Sequence, residues 1–305
     1  MLAHYLPRSY LSGFCSLEIP DRQEPFVYFY DLAQTRWRRR SPYNLARIPD
    51  YYAIEDHTGH RHQDVEQAFS VVEGRMSRLL REKLNARQEL DLVERLHVAE
   101  FVATLFLRVP VQQAVVAEQL ARIGEDKARR LYRYVREDPT RLDEIKEQIR
   151  RETGVEISAD FGVDDLDPDE YTIEPSRNAV VIQGFRLLDE VVPSIASMGW
   201  GLSIAPEGHS FITSDAPVFL HADGDPGDQR PVSMMDADVQ LSCPLTSSVA
   251  LYASFNLAEL EYREVAQNTV EQLNIRTAAR AETMLIANTE QPTGIDKIME
   301  MLGRG

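Results

Sequence analysis

Between residues 63 and 84 the apolar positions Val65, Phe69, Val72, Met76, Leu79 and Leu80 recur at intervals of three and four, the spacing that lines up one face of an α-helix. The stretch from Leu90 to Leu107 is apolar on most sides and predicts a central, buried helix. It should end near Pro110, because the residue before a proline resists helical geometry. Val111–Arg136 and Thr140–Arg151 predict two more helices, divided at Asp138-Pro139, and helical spacing resumes over residues 177–197. Val27-Tyr28-Phe29-Tyr30 suits a strand, Asp31–Thr35 a turn and Arg36–Arg40 a returning strand, which together make a hairpin. Ser41-Pro42 then reads as the N-cap and first residue of a short helix. Past residue 198, Trp200–Ile204, His209–Thr213, Val218–His221, Val239–Cys243 and Ser248–Ser254 are short β-like runs. A helix over about 258–282, a strand at Met284–Ala287 and a terminal helix follow.

This order predicts an α+β fold: an N-terminal β-hairpin, a central helical bundle and a C-terminal, mainly antiparallel sheet with flanking helices. The 305 residues, 43% of them hydrophobic, suffice to bury a full core. They are expected to form a single domain over 1–305, with sub-regions 1–55, 62–197 and 198–305.

Charge narrows the class of partner. A net charge of -16 repels polyanions at long range, which disfavours a bulk nucleic-acid binder but leaves room for a local nucleic-acid or nucleotide site. Only four of the 33 basic residues are lysine (Lys83, Lys127, Lys146 and Lys297). The rest carry planar guanidinium forks suited to carboxylate or phosphate. The run Arg36-Trp37-Arg38-Arg39-Arg40 is the one strong electropositive patch. It reads as a surface for phosphates and stacked bases, or as a solvated hairpin edge whose charge deters strand pairing.

Cys15 and Cys243 lie far apart, with neither metal spacing nor a disulfide framework, and free thiols fit a reducing cytoplasm. The segment MLAHYLPRSY lacks the basic and apolar regions of a signal peptide. The most apolar window, Val98–Leu107, is too short for a bilayer and is interrupted by Glu100. The expectation is a cytoplasmic protein with no membrane partner. The sequence carries no signal of oligomeric state.

Several constellations are candidates for chemistry. Glu66 and Glu73 lie nearly two helical turns apart, on one side, about 10 Å along the axis. That is too far to share a proton, yet both border the apolar stripe. They read either as salt-bridge partners of nearby arginines or as groups around a metal or substrate. The run DHTGHRHQD, with Asp56, His57, His60, His62 and Asp64, invites a metal reading. A glycine-containing loop offers no rigid frame, so no specific metal site is expected there. Asp223-Gly-Asp225-Pro-Gly-Asp228 holds Asp228 and Met234 where a calcium-binding EF-hand needs Gly and Glu, and reads as a surface loop. The acidic stretch from Glu156 to Glu174 reads as a solvated connector. No P-loop, G-x-S-x-G, H-E-x-x-H or dinucleotide fingerprint occurs. In FITSDAPVFL, residues 211–220, Ser214-Asp215 separates two apolar arms and reads as a turn, or as a carboxylate at the mouth of a site.

Taken in order, a set of segments resembles one family. They are His4-Tyr5-Leu6-Pro7-Arg8 with Tyr10-Leu11 and Phe14; Tyr28-x-Tyr30-Asp31 with Arg39, Ser41-Pro42 and Asn44; and Asp50-Tyr51-Tyr52. Glu66, Ser70 and Glu73-Gly74 follow, then Arg108-x-Pro110, Trp200, Phe211-Ile212-Thr213-Ser214-Asp215-x-Pro217-Val218, Pro244-Leu245 and Asn274. The pattern resembles the bacterial domain-of-unknown-function family 4238 over roughly residues 4 to 287. The family's members are largely uncharacterised, some being associated with anti-phage defence. Ala216 stands where the family often has Asn, and Val109 where it often has Thr.

The resemblance implies a polar set that core packing alone does not need. His4, Glu66, Glu73 and Asp215 are expected as catalytic groups, and Arg8, Arg108, Ser214 and Asn274 as substrate-binding groups. Together they could hold a divalent metal, or act as acid and base on a phosphoester in a nucleic acid or nucleotide. The alternative is a non-catalytic sensor or interaction protein in which the same residues form a buried ion-pair network.

Overall fold

A computed structural model of the chain describes residues 2–17, 24–56, 58–62, 64–222, 232–258 and 260–303. The elements run, in order, β1 (Leu2–His4), α1 (Arg8–Ser12), β2 (Val27–Asp31), β3 (Arg36–Arg40), β4 (Arg47–Pro49), β5 (Ile54–Glu55) and β6 (Arg61–His62). Next come α2 (Asp64–Leu79), α3 (Leu92–Leu107), α4 (Pro110–Glu137), α5 (Arg141–Thr153), α6 (Arg177–Arg186) and α7 (Leu188–Ser197). The last are β7 (Gly199–Ile204), β8 (Thr213–Ser214), β9 (Phe219–Ala222), β10 (Val239–Pro244), β11 (Val249–Ser254), β12 (Glu261–Glu264), α8 (Gln267–Arg280), β13 (Met284–Ala287) and α9 (Ile295–Met301). The fold is α+β, as the periodicities predict.

The chain divides into two compact units. One comprises residues 1–113 and 181–305, and carries every strand of the described residues. The other, residues 114–180, holds most of α4, all of α5 and the acidic connector. Within this smaller unit Gly124 lets α4 meet Ile173, whose side chain would lie 2.8 Å from an added Cβ. Arg129 pairs with Asp169 at 3.3 Å.

In the larger unit the strands form a five-stranded sheet ordered β12-β7-β11-β10-β9 and a four-stranded sheet ordered β3-β2-β13-β8. Two small pairs, β1-β4 and β5-β6, stand beside them. The apolar face of α2 (Val65, Phe69, Val72, Met76), the mostly apolar α3, and α7 pack with the five-stranded sheet in the main core. Trp200 anchors this layer: its indole N–H donates to the Ile195 carbonyl at 2.9 Å and Arg95 covers its ring. Gly199 is required at the entry to β7, because a Cβ there would strike the backbone of 257–258. The four-stranded sheet packs Tyr30, Ile212 and Leu285 with Ala278 of α8 and Ile298 of α9 in a second core.

The hairpin falls where the sequence places it, with Tyr28 opposite Arg39 and Tyr30 opposite Trp37. Ser41 caps a 3-10 turn at Pro42–Asn44. Asp91 caps α3 with a reciprocal Glu94 bond. Three expectations need correction. Strand character at His209–Thr213 is confined to Thr213–Ser214, since the Phe211 and Ile212 amides bond instead to the Ser247 carbonyl and the Asn274 side chain. The helix expected over about 258–282 starts only at Gln267. Glu261–Glu264 is a polar edge strand, parallel to β7, and its exposed residues hide the two-residue period. Residues 177–197 are helical as expected, in two helices that meet at Leu187. The C-terminal strands divide between two sheets, β8 and β13 joining the hairpin.

Candidate functional site

Arg108 sits at the C-cap of α3 and is 3% exposed. Its Nη1 donates to Glu73 Oε1 at 2.9 Å, and its Nη2 donates to the backbone carbonyl of His4. The guanidinium lies over the Phe69 ring, 4.4 Å from its centroid, and the Tyr52 hydroxyl donates to the Arg108 carbonyl at 2.7 Å. Burial opposes the charge, but Tyr52 and Glu73 more than offset it, so the guanidinium stays protonated. Its Nε has no hydrogen-bond partner among the described residues. Arg108, Tyr52, Phe69 and Gln113 help line a cavity with about 10 Å³ open to a water centre, room for roughly one water.

Glu66, one face-repeat before Glu73 on α2, is half-buried, and its Oε1 is buried without a partner among the described residues. Burial pushes its carboxyl above the usual value, Arg108 opposes the shift and Glu73 adds to it. One carboxylate is thus ion-paired and the other is biased toward its neutral form, an asymmetry used by acid–base pairs.

His4 connects this network to the surface. Its carbonyl faces Arg108, while its ring Nε2 lies 3.0 Å from the Tyr43 carbonyl. A carbonyl only accepts, so Nε2 carries the hydrogen and the neutral ring presents Nδ1 as an acceptor. Burial lowers the His4 pKa; the Tyr43 bond opposes this, and Arg47, Arg8 and Arg108 reinforce it. Arg8 and Arg47 both stand over the Tyr43 ring, at 5.2 and 5.5 Å. Tyr43 remains 52% exposed. Neither arginine forms an ion pair among the described residues. Arg47 also lines a cavity of about 300 Å³ with Tyr5, Ile48, Val111, Asp215 and Thr283. At its wall Ala46 holds φ +52°, a left-handed conformation that costs a residue with a Cβ about 1 kcal/mol.

The remaining predicted residues serve the backbone. Asp215, 5% exposed, accepts from the Glu282 amide at 3.0 Å, the Thr283 amide at 2.7 Å and the Thr283 hydroxyl. It thereby fixes the entry to β13. Ser214 is fully buried and its Oγ accepts from the Ala216 amide, closing the expected turn. Asn274 accepts from the Ile212 amide and donates to the Ser210 and Thr293 carbonyls, each at 2.9 Å. All three of these bonds tie α8 to loops. The eight residues therefore do not share one cleft: Arg108 and Asp215 line different cavities.

In the histidine loop, Asp56 accepts from the Thr58 amide and hydroxyl, the His60 amide and His62 Nε2. The Thr58 hydroxyl, then His62, holds its carboxyl well below the usual range. His57 and the acidic run Asp223–Asp228 lie outside the described residues. Among the described residues no group of three or more His, Cys, Asp or Glu side chains is placed to hold a metal ion. No single helix among them is long and apolar enough to cross a membrane.

The two-sheet α+β unit, with a sealed arginine bridging α2, α3 and β1 and an aspartate pinning β13, is one architecture carried by motifs spread over nearly the whole chain. The chain belongs to the family described as "Protein of unknown function (DUF4238)", whose model matches residues 3–291. No curated protein and no solved structure matches it.

Tyr43, Arg47 and Thr283 escaped the sequence reading. Tyr43 lies inside the matched Ser41-Pro42-x-Asn44 segment, which marks its loop without marking its ring. Arg47 and Thr283 carry no local signal at all.

Proposed function

We propose that this protein binds a phosphate-bearing ligand of the nucleotide class at the face formed by His4, Arg8, Tyr43 and Arg47, with the adjoining cavity taking the ligand's uncharged part. The observation that carries the reading is the pair of guanidinium groups, free of carboxylate partners among the described residues, set against one half-exposed tyrosine. In a chain of net charge -16 an uncompensated basic cluster is selective for small anions. Guanidinium planes and an aromatic ring also suit a stacked base. His4, kept neutral by its surroundings, offers an acceptor to a hydroxyl or exocyclic amine. The test is calorimetric titration with nucleoside mono- and triphosphates, beside inorganic phosphate. Nucleotides should bind more tightly than phosphate, and Tyr43→Ala and Arg8→Ala should each weaken them about tenfold. Equal binding of phosphate and nucleotide, or no effect of Tyr43→Ala, overturns the reading.

A second reading is favoured by Glu66. A phosphoester hydrolase, in the defence setting that the family resemblance implies, would use Glu66 as acid, with the arginine-paired Glu73 beside it and His4 at the surface. Asp215 fits this reading poorly, since both its oxygens already hold amides. The assay is turnover of nucleotides, RNA and DNA with added Mg²⁺ or Mn²⁺. Turnover that Glu66→Gln abolishes supports hydrolysis, and none in the native protein removes it.

A further inference from the structure

We infer that the outer edge of β3 is a docking site for an extended acidic peptide segment, which adds to the four-stranded sheet as a further strand. β3 is the terminal strand of that sheet, and no other strand of the described residues pairs with its far side. A sheet edge leaves backbone donors and acceptors open to a partner strand. The register with β2 sets the side chains. Arg36, Arg38 and Arg40 stand opposite Asp31, Phe29 and Val27 on one face, and Trp37 and Arg39 opposite Tyr30 and Tyr28 on the other.

Among the described residues none of Arg36, Arg38, Arg39 or Arg40 forms an ion pair. Arg36 and Arg38 both donate to Gln34 Oε1, which holds them side by side while leaving most of their donors free. Asp31, opposite Arg36, turns its carboxylate to the Ala33 and Gln34 amides of the hairpin turn. Arg39 is held over the rings of Phe26 and Tyr28, 5.2 Å from each centroid. Trp37 packs edge-on against Tyr30, so neither residue blocks the edge.

Alternate residues on a strand are about 6.8 Å apart, so carboxylates at alternate positions of an added strand match the three arginines one to one. Arginine at such an edge deters self-pairing with identical copies, because like charges would meet. It does not deter an acidic partner. A long nucleic acid would meet the same guanidinium row, but would leave the strand's backbone groups unused and would feel the repulsion of the whole acidic chain.

The experiment is fluorescence polarisation of the full-length protein with a labelled decapeptide bearing Glu at alternate positions between Val and Thr, at low salt. Binding is expected, weakened about tenfold or more by the combined Arg36→Glu, Arg38→Glu and Arg40→Glu variant, whose fold is checked by circular dichroism. A peptide N-methylated at alternate backbone nitrogens should bind about tenfold more weakly in one phase of methylation and not in the other, because only one set of amides faces the sheet. No binding of the acidic peptide overturns the inference. Equal binding of both methylated peptides, or tighter binding of a single-stranded oligonucleotide of the same charge, also overturns it.

Discussion

Arg108 and Glu73 form a 2.9 Å ion pair between unequal partners: the arginine side chain is 2% exposed and the glutamate 25%. The carboxylate can be hydrated if it loses its partner. The guanidinium has beside it room for roughly one water, and its remaining contacts are a carbonyl and two aromatic rings.

Glu73→Ala should therefore cost about 3 kcal/mol by stranding a buried charge. Adding Arg108→Met to Glu73→Ala should recover part of that loss, because the stranded charge is removed and the volume kept. Urea unfolding of the two variants checks the order. A double variant less stable than Glu73→Ala contradicts the account.

Glu66→Gln probes the raised carboxyl. With a folded pKa above the ordinary 4.5, Glu66 favours folding when protonated, and that contribution is lost as pH rises through the folded pKa. At neutral pH the ionised group is a burden, so Glu66→Gln should melt higher than the native protein at about pH 7, and the gap should close below about pH 4.5. Paired melting curves at the two pH values read this directly.

The His4 imidazole works in the opposite direction. Its folded pKa lies below the ordinary 6.5, so the unfolded chain takes up the proton more readily. Stability should fall as pH drops below about 6.5 toward the folded pKa, and His4→Gln should flatten that part of the profile. An unchanged profile in the variant would assign the acid sensitivity elsewhere.

Asp215→Ala leaves two backbone amides and a hydroxyl without their acceptor, for a loss of about 3 kcal/mol. Asp215→Asn keeps one carbonyl oxygen and should lose roughly half as much. Hydrogen exchange at the Glu282 and Thr283 amides should accelerate in the alanine variant first. Slow exchange there would show that another group had taken over the cap.

The helices of α2 and α3, the hairpin and the Ser41 cap were legible because each is set by neighbours within a few residues. The apolar stripe of Val65, Phe69, Val72 and Met76 names its own buried face, and Ser41-Pro42 its own turn. Glu261–Glu264 was not legible. An edge strand with little burial shows no alternation, and its pairing partner β7 lies far back in the chain. Phe211-Ile212 carries the apolar signature of a strand because burial alone gives it, whether the amides meet a sheet or an asparagine.

For the site, the sequence by itself determined which residue types matter: a carboxylate pair on one side of α2, an arginine at the end of α3, and Ser-Asp in a turn. These follow from local spacing and from the order of matched segments. The tertiary structure alone decided their roles. The Glu73–Arg108 bond closes a separation of 35 residues, that of Arg108 to the His4 carbonyl 104, that of Asp215 to Thr283 68, and that of Asn274 to Ile212 62. Whether a polar side chain is spent on backbone or left open to a ligand depends on which distant donors the fold brings to it. That is why Asp215, the residue on which the sequence places most weight, holds the Glu282 and Thr283 amides at β13, while Tyr43 stays half-exposed and Arg47 has no ion pair among the described residues.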